Sequence, residues 1–273
     1  MLLTFRALLW SGRMPRSFVA LILVIVALAS MPVSGADAAA FPRMPAECVA
    51  SDYRSNGAEV RAALCRPSYR RRVPVAIVLH GCGGFDTFDH RLAVDLPRAG
   101  IATLYIDYFD PTPPPGRKGW CNGGGERGSA RDVFAVWQRE VVDAAAHLRE
   151  VRGVDASRVA LVGWSLGGGV AVATTLADRG RFRALVGFST GFFGASADFA
   201  GMPPTLLLSG GSHDAIPPAA TEDLYRALRA AGDSASLYDY GHGVHAWPGA
   251  QGTAGIAVAE RFLRHALASP SRR

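Results

Sequence analysis

The sequence has little lysine and cysteine, and it contains no apolar run as long as a membrane-spanning helix. Lys118 is the only lysine among 29 basic residues, so arginine carries the net charge of +6. A nucleic-acid-binding protein needs a concentrated basic stripe or a recognised module. The densest basic cluster, residues 66–72, falls between two predicted strands. We therefore expect no nucleic-acid partner.

The longest apolar run lies near the amino terminus. Phe18–Ala29 is 12 residues long, whereas a transmembrane helix takes about 20. Arginines precede this run, and small residues that include the A-x-A-like site Ala36–Ala38 follow it. This pattern is typical of a secretory signal peptide. We predict a signal peptide over 1–38, starting at Met1 or Met14, and a periplasmic or secreted mature protein without stable membrane insertion. An uncleaved membrane anchor is the alternative.

Cysteine occurs four times, at Cys48, Cys65, Cys82 and Cys121. No C-x-x-C pair exists, so the cysteines lack the spacing of a zinc site. An even number in an oxidising compartment instead favours two disulfides, for which three pairings are possible. Residues 54–68 contain a turn-like Asn-Gly followed by a strand-like run, which predicts a hairpin. We favour Cys48–Cys65 with Cys82–Cys121, because the first pair brackets this predicted hairpin.

The remainder of the chain alternates between strand and helix patterns. Val73–His80 is a continuous apolar run that suits a strand buried on both faces, and 101–109 is similar. Helical patterns separate most of the later strand candidates, and no linker or internal repeat divides the chain. This alternation predicts an α/β fold with a mostly parallel central sheet and helices on both faces. We expect a single domain over 39–273.

A serine stands inside a glycine run between a predicted strand and a predicted helix. Residues Gly163–Gly169 read GWSLGGG and contain the G-x-S-x-G pattern of a nucleophile elbow. The tightness of that turn explains Gly163 and Gly167, because a Cβ at either position would collide with the backbone. Ligands bind at the carboxyl ends of strands in such sheets. The sequence therefore predicts Ser165 as an exposed nucleophile.

Two later loops carry the partners that a serine nucleophile needs. Asp214 lies in SGGSHDAIPP and His245 in YDYGHGVHAWPG, each after a predicted strand. We predict that Asp214 is the acid that orients an imidazole and that His245 is the base. The order serine, aspartate, histidine along the chain is typical of hydrolases whose serine lies in a nucleophile elbow. His242 is the alternative base, and we expect His213 to be a bystander. The H-x-x-H spacing also suits half of a metal site, but no third ligand cluster accompanies it, so no metal is predicted.

The loop HGCGG, His80–Gly84, directly follows another predicted strand. The oxyanion formed during acyl transfer needs two preorganised N–H donors. We predict the backbone N–H groups of Leu166, the residue after the nucleophile, and of Cys82 as these donors. A Cys82–Cys121 disulfide would hold this loop in place. We expect His80 to brace the loop rather than to transfer protons.

At HGCGG, GWSLGGG, SGGSHD and YGHGVHAW the sequence resembles the dienelactone hydrolase family of the α/β-hydrolase superfamily, over roughly Val73 to Leu267. The resemblance implies that Asp214 and His245 are the triad partners and that no metal or organic cofactor is needed. The namesake enzymes are cytoplasmic and use a cysteine nucleophile, whereas this chain carries Ser165 and an export pattern. These departures favour a serine carboxylesterase.

We therefore expect an exported hydrolase that cleaves a small-molecule or polymeric ester through a Ser-His-Asp triad and an acyl-enzyme. The alternatives are a peptidase or thioesterase on the same triad, a cutinase-like polyester hydrolase, and a binding scaffold without activity. Trp120, Trp164 and the aromatics of 191–194 are candidates for acyl-binding surface, but ordinary packing is the favoured interpretation of each. The sequence leaves the oligomeric state open.

Overall fold

The computed structural model describes residues 48–67, 72–109, 130–192, 194 and 197–268. Its strands are β1 (Cys48–Ala50), β2 (Tyr53–Ser55), β3 (Ala58–Val60), β4 (Ala62–Cys65), β5 (Val73–Leu79), β6 (Ala102–Ile106), β7 (Val154–Trp164), β8 (Ala184–Phe188), β9 (Thr205–Ser209) and β10 (Ala235–Asp239). Its helices are α1 (Thr87–Arg98), α2 (Ala130–His147), α3 (Leu166–Ala177), α4 (Pro218–Ala230) and α5 (Gly249–Ala268). The predicted signal peptide, Trp120 and Cys121 lie outside the described residues.

Eight of these strands form one sheet, in the order β1-β4-β6-β5-β7-β8-β9-β10. Neighbouring strands from β6 to β10 run parallel. At one edge, β4 pairs antiparallel with β6, and β1 pairs antiparallel with β4. Parallel neighbours need crossover connections, and helices α1 to α4 supply those that follow β5, β6, β7 and β9. The predicted α/β fold with a mostly parallel sheet is confirmed.

Different helices cover the two faces of the sheet. In β5, Ile77 and Leu79 belong to a core shared with α2, α3 and α4, whereas Ala76 and Val78 belong to a second core shared with α1 and α5. All four side chains are at most 1% exposed. Burial on both faces explains why this strand is a continuous apolar run rather than an alternating one.

A disulfide closes the antiparallel edge of the sheet. Cys48 in β1 lies opposite Cys65 in β4, and the two are bonded across a sequence separation of 17. This is the first of the two pairings that the sequence favours. Cys82 is also disulfide-bonded, and its predicted partner Cys121 lies outside the described residues.

The predicted N-terminal hairpin is smaller than expected. β2 and β3 pair around a turn at Asn56 and Gly57, both of which have positive φ, as a two-residue hairpin turn requires. The chain then continues into β4, which leaves the hairpin and joins the main sheet beside β6. Thus one strand-like run in the sequence serves two sheets.

The longest described helix, α5, is 20 residues long and packs on the sheet through buried residues such as Ile256 and Leu263. No helix in the described part of the chain combines the length and the apolar character that crossing a membrane demands.

Candidate active site

β7 passes into α3 through one strained residue. Ser165, between them, has φ 56° and ψ −119°, a conformation that a non-glycine residue rarely adopts. A Cβ on Gly163 would overlap the backbone of Gly167, and one on Gly167 would overlap the carbonyl oxygen of Leu79. The explanation of these glycines from the sequence is therefore confirmed. Ser165 is only 4% exposed, so the prediction of an exposed side chain is wrong: His245 lies against its hydroxyl.

Replacing Gly167 with alanine is expected to lower the free energy of unfolding by about 3 kcal/mol or more, because the added methyl meets backbone rather than a movable side chain. Gly83→Ala is the matched control, since a Cβ there has no atom within 4 Å and such a change is expected to cost about 0.5 kcal/mol or less. Urea unfolding of both variants measures the difference. Equal stabilities would mean that the turn can relax around a side chain.

The structure brings Ser165, His245 and Asp214 together from three different loops. The Ser165 Oγ lies 2.9 Å from His245 Nε2, and His245 Nδ1 lies 2.7 Å from Asp214 Oδ1. The three residues follow β7, β10 and β9, whose carboxyl ends meet at one edge of the sheet. The Asp214 side chain is 1% exposed and that of His245 is 18% exposed. The distances permit a proton to pass from the hydroxyl to the imidazole, with the carboxylate holding the other ring nitrogen.

Asp214 accepts hydrogen bonds on both carboxylate oxygens. Its Oδ1 accepts the backbone N–H of Ile216 at 3.0 Å in addition to the contact with His245. Its Oδ2 accepts the backbone N–H of Gly210 at 2.9 Å and the hydroxyl of Ser189. These donors fix the plane of the carboxylate and leave Oδ1 directed at the imidazole.

Trp164 links three parts of the site. It precedes Ser165, its Nε1–H donates to the backbone oxygen of His245 at 2.9 Å, and its ring centroid lies 5.2 Å from that of the imidazole. A Cβ on Gly81 would lie 2.7 Å from the same indole ring. Trp164 is 8% exposed, so it supports the loops around the serine, and ordinary packing is the interpretation that fits it. Phe192, one of the aromatics of 191–194 that are candidates for acyl-binding surface, packs edge-on against Phe199.

The predicted oxyanion loop lies against the nucleophile turn. The carbonyl oxygens of Leu79 and His80 approach Gly167 so closely that no Cβ fits there. Within the loop, the N–H of Gly84 donates to the carbonyl of Gly81 at 3.1 Å. Leu166 is the first residue of α3, and the first N–H groups of a helix have no acceptor within it. The loop and the helix start are thus adjacent, and the donor roles of Cys82 and Leu166 stay predictions.

His80 is fully buried beneath that loop. Its ring stacks on Tyr108 with centroids 4.2 Å apart, and it meets Phe85 and Phe109 edge-on. Its Nδ1 donates to the carbonyl of Gly81 at 2.7 Å, and its Nε2 lies 3.5 Å from an oxygen of Asp107. These contacts favour the interpretation that His80 braces the loop.

His242 and His213 lie outside this arrangement. Both are exposed, and the Nδ1 atoms of both lie 3.3 Å from the hydroxyl oxygen of Ser212. The imidazole that faces Ser165 is that of His245, so the alternative base His242 is not positioned for the role. Among the described residues, no group of three or more His, Cys, Asp or Glu side chains has the arrangement of a metal site.

Asp86 is a second carboxyl group near the base His245, and sequence analysis did not identify it. Asp86 caps α1 by accepting the backbone N–H groups of Phe88 and Asp89 at 2.7 and 3.2 Å. Burial raises the pKa of Asp86, while its backbone hydrogen bonds and the charges of His90 and His245 act in the opposite direction. Burial raises the pKa of the fully buried Asp89 well above that of an ordinary carboxyl group. Nothing in the sequence distinguishes Asp86 from any other helix-capping aspartate.

A parallel sheet that presents a strained serine, a histidine and an aspartate at the carboxyl ends of its strands defines an α/β-hydrolase. Residues 60–262 match the model of the dienelactone hydrolase family, and the chain belongs to that family. The family resemblance noted in the sequence is confirmed.

Individual relatives agree with this assignment. The chain is 31% identical over 162 residues to the "Probable 2-oxo-3-(5-oxofuran-2-ylidene)propanoate lactonase" of a Bradyrhizobium species, an alignment that covers 55% of this chain and 59% of that protein. The structure is similar to the dienelactone hydrolase-like promiscuous phosphotriesterase P91 from metagenomic libraries (TM-score 0.68, 16% identity, covering 80% of this chain and 97% of that one). It is also similar to Est1E of Butyrivibrio proteoclasticus (TM-score 0.63, 15% identity, 81% and 99%). These two structural likenesses establish the fold.

Proposed function

We propose that the protein is an exported serine esterase in which Ser165 is the nucleophile, His245 the general base and Asp214 the residue that orients the base. The observation that carries this proposal is the continuous chain from Ser165 Oγ to His245 Nε2 and from His245 Nδ1 to Asp214 Oδ1, at 2.9 and 2.7 Å. Both distances lie within hydrogen-bond reach, as proton transfer and orientation require. The strained backbone of Ser165 supports the same assignment, since such strain is concentrated at functional sites.

The proposed reaction has two halves. His245 Nε2 takes the proton of Ser165 as its Oγ attacks the ester carbonyl carbon, and the backbone N–H groups of Leu166 and Cys82 stabilise the oxyanion. Collapse of the tetrahedral intermediate breaks the bond to the alcohol, which leaves with the proton that His245 returns. Water, deprotonated by the same imidazole, then attacks the acyl-enzyme and releases the acid and the free serine.

Two features support the export part of the proposal. The basic, apolar and small-residue segments of 1–38 have the order of a signal peptide. The Cys48–Cys65 disulfide is of the kind that persists in oxidising compartments and is rare in the cytosol.

A fluorophosphonate probe tests the nucleophile directly, because it forms a covalent bond only with an activated hydroxyl group. The mature, oxidised protein is incubated with the probe, digested, and the modified peptide is sequenced by mass spectrometry. We expect the probe to modify Ser165, and we expect ester hydrolysis to be lost at the same rate as Ser165 is modified. Modification at another residue, or none, would contradict the assignment.

The substrate class is examined with p-nitrophenyl esters from acetate to octanoate, with a simple lactone, a thioester and an aminoacyl amide beside them. The lactone is included because the relative from Bradyrhizobium carries a lactonase name and a lactone is an internal ester. We expect the esters and the lactone to be hydrolysed faster than the amide. A preference for the amide would favour the peptidase alternative.

A further inference from the structure

Two fully buried residues extend the hydrogen-bond chain beyond Asp214. Ser189 follows β8, and Trp247 follows His245 by two residues. The indole Nε1–H of Trp247 donates to Ser189 Oγ at 2.7 Å, and the hydroxyl of Ser189 bonds to Asp214 Oδ2. Both Ser189 and Trp247 are 0% exposed, so water does not compete for these groups.

The chemistry of the groups fixes the direction of each bond. An indole N–H can only donate and an ionised carboxylate can only accept. Because the oxygen of Ser189 accepts from Trp247, its single proton is directed to Asp214. Without the indole, the hydroxyl could rotate and direct that proton elsewhere.

Ser189 and Trp247 share the positive φ of the nucleophile. In the described part of the chain, the non-glycine residues with positive φ are Asn56 in the hairpin turn, Ser165 at 56°, Ser189 at 46° and Trp247 at 49°. Such conformations cost about 1–3 kcal/mol each and persist only where the surrounding structure enforces them. Among the described non-glycine residues outside the hairpin turn, positive φ thus occurs at the nucleophile and at the two residues behind the acid.

The packing of Trp247 explains why its N–H keeps one direction. Its ring meets Phe188 edge-on with centroids 5.2 Å apart and lies 6.3 Å from that of Phe88. A Cβ on Gly255 would lie 2.6 Å from the indole ring. The ring therefore fills its site completely, and rotation would require the core beneath α5 to open.

We propose that Ser189 is a positioning residue that acts through Asp214 and that Trp247 holds Ser189 in its donating orientation. This inference rests on the proposed function, because the proposed function assigns to Asp214 the role of orienting His245. Two donors on Oδ2, the hydroxyl of Ser189 and the N–H of Gly210, prevent the carboxylate from turning. Oδ1 is then kept 2.7 Å from the imidazole.

Ser189→Ala removes the hydroxyl and tests this role. We expect kcat for p-nitrophenyl acetate to fall about 10- to 100-fold, since small misplacements of a catalytic group have effects of this size, while KM stays within about twofold. The matched control is Ser55→Ala, because the buried hydroxyl of Ser55 also donates to an aspartate, Asp143, at 2.8 Å. That contact joins β2 to α2, away from the triad, so kcat is expected to stay at the wild-type value.

A double-mutant cycle with Asp214→Asn separates positioning from general packing. If Ser189 acts through the carboxylate, Ser189→Ala has little further effect once Asp214 is replaced, and the losses are strongly non-additive. Losses that multiply independently would overturn the inference. So would a wild-type kcat in Ser189→Ala, or a change confined to KM.

Two further variants keep the result interpretable. Thermal unfolding shows whether Ser189→Ala is folded; if it is not, Trp247→Phe takes its place, since it keeps an aromatic ring in the site but lacks the N–H that donates to Ser189. We expect a several-fold lower kcat from Trp247→Phe, and an unchanged kcat would overturn the role of the indole. Ser165→Ala is measured in parallel. Activity that survives in Ser165→Ala contradicts the proposed function, whereas an inactive Ser165→Ala beside a fully active Ser189→Ala contradicts only the positioning role.

Discussion

Ester hydrolysis is expected to fall by about 10⁶-fold in kcat when Ser165 is replaced with alanine. The variant loses the oxygen that would form the acyl-enzyme, while the neighbouring glycines and the start of α3 are unchanged. Alanine in place of serine removes one atom from a residue that is 4% exposed, so the fold is expected to be retained. The measurement is the rate of p-nitrophenolate release from p-nitrophenyl acetate, with purified wild-type protein assayed in the same buffer.

The residual activity of Ser165→Ala is informative in itself. In serine hydrolases, an enzyme without its nucleophile still accelerates hydrolysis about 10³- to 10⁴-fold over water, through its oxyanion donors and substrate binding. We expect a residual rate of that kind from Leu166 and Cys82 if they are the donors. A Ser165→Ala variant that retains more than a few per cent of the wild-type rate would show that another residue performs the attack. Ser157→Ala, at an exposed serine early in β7, is the control for nonspecific effects of the same substitution.

Local patterns predicted the parts of the molecule that depend on backbone geometry. The continuous apolar run of β5 indicated a strand buried on both faces, because only burial of both faces removes the need for alternation. Gly163 and Gly167 could be explained from the sequence, since the close approach of backbone to backbone leaves no room for a Cβ. The order of Ser165, Asp214 and His245 along the chain then suggested their partnership, and the structure brings the three side chains into contact.

The parts that sequence reasoning missed depend on contacts between distant elements. Ser189 lies just past β8, at the same edge of the sheet as Ser165, and this position was the one available signal. A serine at a strand end is too common to indicate a role, and the contacts of Ser189 with Trp247 and Asp214 span 58 and 25 residues of sequence. For Trp164 the sequence favours packing over acyl binding but does not indicate the partner, because an aromatic beside a nucleophile gives no sign that its N–H faces a backbone carbonyl 81 residues away.

The early strands show that the same limit, the lack of local signal for contacts between distant elements, also applies to the fold. The Asn56–Gly57 turn correctly indicated a hairpin, because both residues tolerate positive φ. Nothing local indicated that β4 would leave that hairpin and pair with β6, since strands this short carry little register information of their own. The pairing of Cys48 with Cys65 was accessible because the two cysteines flank the hairpin in the sequence.

His245→Gln and His242→Gln form a matched pair of variants that tests the assignment of the base. Glutamine is of similar size and can form hydrogen bonds but cannot take a proton at neutral pH. We expect His245→Gln to lower kcat by about 10⁵- to 10⁶-fold, comparable to the loss from removing the serine, because the two residues act as a unit. We expect His242→Gln to stay within about threefold of wild type, since its exposed ring faces Ser212 and such surface changes have small effects.

The comparison is decisive because the two histidines share one loop and lie three residues apart, so damage to the loop would affect both variants. If the loss from His242→Gln were the larger, the imidazole that lies 2.9 Å from Ser165 Oγ would not be the base, and the hydrogen bond from His245 to Asp214 would be structural. If both variants lost activity equally, the loop would be required as a whole, and the assignment would then depend on rescue. Added imidazole can occupy the space that a smaller side chain leaves, so partial recovery in His245→Ala without recovery in His242→Ala would still identify His245.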